Sequence, residues 1–88
     1  MPEPRDPTTH VRIAFFADGH LTSLPRRESY RLAALALLAE RFARGRDYPE
    51  REVNQLLAAD APDPATLRRL LVDNGFFERA AGVYRRTP

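Results

Sequence analysis

Residues Asp63 to Arg79, DPATLRRLLVDNGFFER, constrain the fold more than any other part of the chain. Asp63 is a strong helix N-cap and Pro64 suits the first helical position, where its missing N–H is no loss. Asn74-Gly75 supplies a left-handed stop. Between these terminators Leu67, Leu70 and Leu71 recur at helical spacing and define one buried stripe. A short helix over about 63–74 is therefore fixed at both ends and in rotation. The residues after it, FFERAAGVYRR, place Phe76, Phe77, Val83 and Tyr84 around a small-residue turn at Ala80 to Gly82, which reads as a β-hairpin.

Upstream, RDYPEREVNQLLA reads as another helix over about 46–58, with Pro49 in its first turn and Glu50 and Glu52 near its positive end. Val53, Leu56 and Leu57 fall on one face, and ADAPD is the connector. A longer helix is expected from about Arg27 to Arg44, stopped by Gly45. Leu35, Leu38, Ala39 and Phe42 make one apolar face on it, and Tyr30, Ala34 and Leu37 a second, nearly opposite. Packing on two sides is implied. Before it, Val11, Ile13, Phe15 and Phe16 form a short apolar run, strand or helical turn, followed by an Asp18-Gly19 turn and an extended stretch to Pro25. That run is expected to fold back over one of the helix surfaces, or to serve a second copy of the chain. Residues 1–9 read as a flexible, proline-containing tail, and 10–88 as one domain.

The expected fold is mostly α with a small β-hairpin (α+β): three helices plus a wing, in winged helix-turn-helix style, with the N-terminal turn segment packed on them. At 88 residues there is room for one core. No cysteine is present, so disulfides and thiolate metal sites are excluded. No apolar run approaches a membrane span, which makes a cytoplasmic, membrane-free protein the default. All 14 basic residues are arginine, against 12 acidic ones, for a net charge of +2. That is no polybasic footprint, so any nucleic-acid affinity must come from where the arginines sit.

In a winged helix the third helix meets the major groove and the wing touches the backbone. Arg69, Ala65 and Val72 lie farthest from the leucine stripe, with Arg68 on its flank. Arg68 and Arg69 are thus the groove-facing candidates, Arg79, Arg85 and Arg86 belong to the wing, and Arg51 and Gln55 point outward from the preceding helix. Double-stranded DNA is the partner this implies. Asp73 and Glu78 oppose it by charge, and Val72 is a poor groove residue. The rival reading is a protein-interaction or dimerisation module without DNA affinity, with a second copy or a regulator protein as partner. An enzyme is not expected, and neither is a cofactor or metal. His10 falls in the tail and His20 follows the Asp18-Gly19 turn, Ser23 and Ser29 lack a nucleophile context, and no lysine exists for a Schiff base.

The segments FFADGHLTSLP, RFARGRDYPEREVNQLL and DPATLRRLLVDNGFFERAAGVYRR together resemble the bacterial domain-of-unknown-function family 2087, over about residues 13 to 86. The resemblance rests on the DG turn, the Tyr-Pro-Glu…Glu-Val-Asn block from Tyr48 to Asn54, the ATLRR helix start at Ala65 to Arg69, and the Glu-Arg…Gly…Tyr ending at Glu78 to Tyr84. Members occur alone and fused to helix-turn-helix regulators, so the resemblance implies a regulatory setting and supplies no activity. His20 stands where a basic residue is common, and Phe76-Phe77 replace an aliphatic pair.

Overall fold

The computed structural model describes residues 6–88. The chain runs α1 (Pro7–Ala14), β1 (Phe16–Ala17), β2 (His20–Leu21), α2 (Glu28–Ala39), β3 (Asp47–Pro49), α3 (Glu50–Leu56), α4 (Pro64–Asp73), β4 (Phe77–Ala80) and β5 (Val83–Arg86). It is a small α+β domain with two antiparallel sheets, β1-β2 and β3-β5-β4.

Four helices form among the described residues rather than the expected three. The additional one, α1, takes in Pro7 to Thr9, which the sequence reading assigned to the tail; Met1 to Arg5 lie outside the described residues. Its cap repeats the one on α4. Asp6 accepts from the Thr9 N–H at 3.0 Å with Pro7 following, just as Asp63 accepts from the Thr66 N–H at 2.8 Å with Pro64 following. Both helices thus open on Asp-Pro-x-Thr, with one orphan amide satisfied by the carboxylate and proline in a place that needs no donor.

Helix α1 packs on α2, bringing Val11 into the core with no exposure and setting His10 face to face with Tyr30 at 4.4 Å. The N-terminal segment is thereby the cover over the second apolar face of α2, contributed by the same chain. Asp18 (φ 52°) and Gly19 (φ 79°) both take the left-handed conformation and close the β1-β2 hairpin where the Asp-Gly signal put a turn.

Helix α2 stops at Ala39, five residues short of the expected end at Arg44. A tightened last turn and one partner from β3 take the amides that would have continued it. The amides of Arg41 and Phe42 make tight bonds to Leu38 and Ala39, three residues back, and the Ala43 N–H donates to the Tyr48 hydroxyl at 2.7 Å. Phe42 then lies edge-on to Tyr48 (5.0 Å) and Phe77 (4.8 Å), joining α2 to β3 and β4 at the centre of the core.

The stretch expected as one helix over 46–58 is instead β3 followed by α3, with Pro49 as the N-cap rather than in the first turn. Tyr48 pairs with Tyr84, and β3 is an edge strand, the one place in a sheet that tolerates proline. Helix α4 and the β4-β5 hairpin form where they were expected. Leu67 and Leu71 are fully buried and Leu70 partly so. At the end of α4 the Gly75 N–H bonds Val72 (3.1 Å) and the Phe76 N–H bonds Leu71 (2.9 Å), a Schellman stop with Gly75 at φ 82°.

Candidate nucleic-acid interface

The stripe of Leu67 and Leu71 turns Ala65, Arg69 and Asp73 to the solvent side of α4. The cap holds that rotation. The Thr66 N–H, and after it the Thr66 hydroxyl, keep the Asp63 carboxyl below its ordinary range, with a smaller contribution from the positive charge of Arg69.

Arg68, one residue earlier, has a different environment. Its Nη1 donates to the Asn54 side-chain oxygen, and its Nη2 lies 3.4 Å from Glu50 Oε1. The Tyr84 hydroxyl donates to the same Glu50 oxygen at 3.2 Å, and the Arg68 guanidinium sits 5.8 Å from the Tyr84 ring centroid. Only 18% of the side chain is exposed. Glu50 and Asn54 are four residues apart on α3 and so share a face. The result is a bridge between α3, α4 and β5 in which Arg68 is the central cation. Its partners lie on α3 and β5, not among the nearby acidic residues Asp63, Asp73 and Glu78. The i, i+4 spacing of Glu50 and Asn54 was the available signal.

Alternation along the hairpin sorts the remaining arginines. Arg79 pairs across the ladder with Tyr84, and its guanidinium also lies 5.8 Å from the Tyr84 ring centroid, on the side facing α4. Arg68, Arg69 and Arg79 line one concavity of about 220 Å³ with Val72, Asp73 and Tyr84. Among the described residues, Arg69 and Arg79 are in no ion pair.

Glu78 and Arg85 are cross-strand partners on the other face, where Arg85 binds Asp47 at 2.8 Å. Glu78 lines a separate depression there with Asp47 and Val83. It therefore does not oppose the α4 arginines, as the sequence suggested, and Arg85 does not join them. Arg86 shares the hairpin face of Arg79 and Tyr84 but sits farther along the ladder, opposite Phe77, where it donates to the Phe42 carbonyl at 3.3 Å outside the concavity. Arg51 and Gln55 are exposed on α3 but outside the concavity. Val72 is half-buried against the core and forms part of the concavity wall.

A second charged cluster was missed entirely. Asp60, with no side-chain exposure, binds Arg41 through both oxygens, accepts from the Leu21 N–H at 2.7 Å and lies 3.9 Å from His20 Nδ1. Arg41 also donates to the carbonyls of Gly19 (2.8 Å) and Leu56 (3.0 Å). No local pattern announces this cluster, because its members are joined only by the fold. Among the described residues no group of three His, Asp or Glu side chains is placed to hold a metal. No helix there is long and apolar enough to cross a membrane.

The family described as "Uncharacterized protein conserved in bacteria (DUF2087)" matches residues 20–86. The chain belongs to this family. No curated protein and no solved structure matches it. The DUF2087 span holds every arginine of the concavity, the Glu50–Asn54–Tyr84 bridge and the Arg41–Asp60 pair, and leaves α1 and β1 outside.

Proposed function

We propose that this chain is a transcription-associated, DNA-binding regulatory domain of winged-helix type, acting in the bacterial cytoplasm with α4 as the groove helix and β4-β5 as the wing. The observation that carries the reading is the order β3–α3–α4–β4–β5 with sheet order β3-β5-β4, which sets an exposed helix face beside a hairpin. On that face Arg69 and Arg79 converge on one concavity without ion partners among the described residues. Arginine suits this place because its planar fork matches phosphate and base edges. In this reading Arg68 is a buttress that orients α4 against α3 and β5, and Arg69 and Arg79 make the contacts.

The test is anisotropy with random duplex DNA across a salt series. Each neutralised phosphate contributes roughly 0.9 to the log–log slope. The double variant R69A/R79A should flatten the slope by about 1.8 while the protein stays folded. Absence of binding at low salt, or an unchanged slope, refutes the reading. One observation favours a protein-interaction module instead: Ile13 on α1 is 62% exposed, an uncovered apolar side chain for a second copy or a regulator partner. That alternative predicts self-association or partner binding abolished by Ile13→Glu, with no salt-dependent DNA affinity.

A further inference from the structure

A wider concavity lies elsewhere, where the last turn of α1, the β1-β2 turn and the C-terminal part of α2 meet. Its volume is about 470 Å³, within the range of small-molecule sites. Phe16 and Leu37, both half-buried, give it an apolar wall. Arg12, Asp18 and Glu40 line it as exposed charges, and none of the three is in an ion pair among the described residues.

The fourth charged lining residue, Arg41, is already committed. Both of its terminal nitrogens bind Asp60, and they also serve the carbonyls of Gly19 and Leu56. This commitment makes the base of the cleft rigid. The Gly19 carbonyl is tied to Arg41, and the Leu21 N–H to Asp60, so the second half of the β1-β2 turn and the strand after it are held before any ligand arrives. Asp18 itself sits at φ 52°, a backbone region few residues other than Gly, Asn and Asp adopt.

The uncommitted chemistry is thus two carboxylates, one guanidinium and an apolar wall. We infer that this cleft binds a free α-amino acid with a large apolar side chain. The ammonium group belongs between Asp18 and Glu40, the carboxylate belongs on Arg12, and the side chain lies on Phe16 and Leu37. A simple amine leaves Arg12 unmatched and a simple carboxylate leaves both acids unmatched, so the zwitterion satisfies the set where neither fragment does. This inference stands apart from the DNA reading.

The experiment is a ¹⁵N-resolved NMR titration of the full chain with L-phenylalanine, beside 3-phenylpropanoate and 2-phenylethylamine, which lack the amine and the acid respectively. L-phenylalanine should saturate with a Kd of about 1 mM or tighter, moving the amides of Gly19, Leu37 and Arg41. Each fragment, the variant R12Q and the double variant D18N/E40Q should bind about tenfold more weakly or worse, since each removes a charge-assisted contact. All these substituted side chains are exposed, and retention of the unliganded spectrum checks that the fold is intact. The inference is overturned by an absence of saturation up to about 10 mM. It is equally overturned by shifts confined to other residues, by a fragment binding as tightly as the amino acid, or by folded variants of undiminished affinity.

Discussion

Replacing Asp60 with alanine should be among the most damaging single changes available to this chain. The carboxylate is fully buried, ion-paired to Arg41 through both oxygens, and accepts the Leu21 N–H at 2.7 Å. Removing one member of a buried pair costs about 3–5 kcal/mol, because the other charge is left without its partner. Arg41 is 21% exposed and keeps the Leu56 and Gly19 carbonyls, which moves the expected cost to the lower end, about 3 kcal/mol. The orphaned Leu21 amide overlaps with this figure and raises it to about 3–4 kcal/mol. A chain of 88 residues is stable by about 4–13 kcal/mol in all, so the loss takes from about a quarter of that stability to nearly all of it. The melting temperature should fall by about 12–32 °C, at about 4–8 °C per kcal/mol for a domain this size. Arg41→Ala should cost at least as much, because it strands a fully buried carboxylate instead of a partly solvated guanidinium. Urea unfolding followed by circular dichroism, with all four members of the Arg41/Asp60 double-mutant cycle, measures both effects. A loss below about 1 kcal/mol for Asp60→Ala, or a coupling energy near zero, would show that the pair does not hold the hairpin to the helices.

Further outcomes follow from the same geometry. Arg68→Ala should cost about 1–3 kcal/mol in urea melts, since it opens the Glu50–Asn54–Tyr84 bridge, whereas Arg69→Ala should stay within about 0.5 kcal/mol. Equal effects at the two positions would contradict the separation of buttress from free cation. A chain begun at Leu24 loses α1, β1 and β2 with the buried Val11 and Leu21, at about 1.5–3 kcal/mol per large side chain, and should unfold or aggregate; a monomeric product with a cooperative melt is the contrary result. Asp6 and Asp63 both have carboxyls held below the ordinary value of 3.8, chiefly by the backbone amides of Thr9 and Thr66. Depressed folded-state values place their stabilisation above the unfolded pKa and remove it as pH falls through the lower folded one. The difference in melting temperature between the native chain and Asp63→Asn should therefore be constant near neutrality and change only below about pH 4. A change centred near pH 6 would assign the effect to another group.

Much of the DNA-proposed half of the chain was legible because its signals are local. Asp63-Pro64 and Asn74-Gly75 determine where α4 begins and ends using groups within a few residues, and the Ala80 to Gly82 turn does the same for the hairpin. Helix α1 carried an equally local signal, Asp6-Pro7-Thr8-Thr9, hidden by the general expectation that prolines near a terminus mean a tail. Strand β3 had no local signal at all. Three residues containing a proline become a strand only because β5, far along the sequence, supplies the ladder. The early end of α2 is similar, since the Ala43 N–H is taken by the Tyr48 hydroxyl, which reaches it only in the folded chain.

The candidate interface divides along the same line between local and long-range information. Helical periodicity identifies Arg69 as outward, and a single repeat angle suffices for that. The same periodicity puts Arg68 on a flank, where a 100° rotation decides nothing by itself. Its environment is settled by Glu50, Asn54 and Tyr84, and those reach it only once α3 lies against α4 and β5 lies against β3. The hairpin arginines divide for the corresponding reason. Ladder register puts Arg79 and Arg86 on the Tyr84 face and Arg85 on the other, a shift of one residue would exchange the two sets, and Arg86 is then set apart by its contact with Phe42. Two adjacent arginines and three nearby ones thus resolve into one buttress, two free cations on a shared concavity, and two residues bound elsewhere. A basic cluster read from sequence therefore overstates the charge available to a phosphate backbone. Under the DNA-binding proposal, the salt dependence to look for is that of two contacts from the site, not of five.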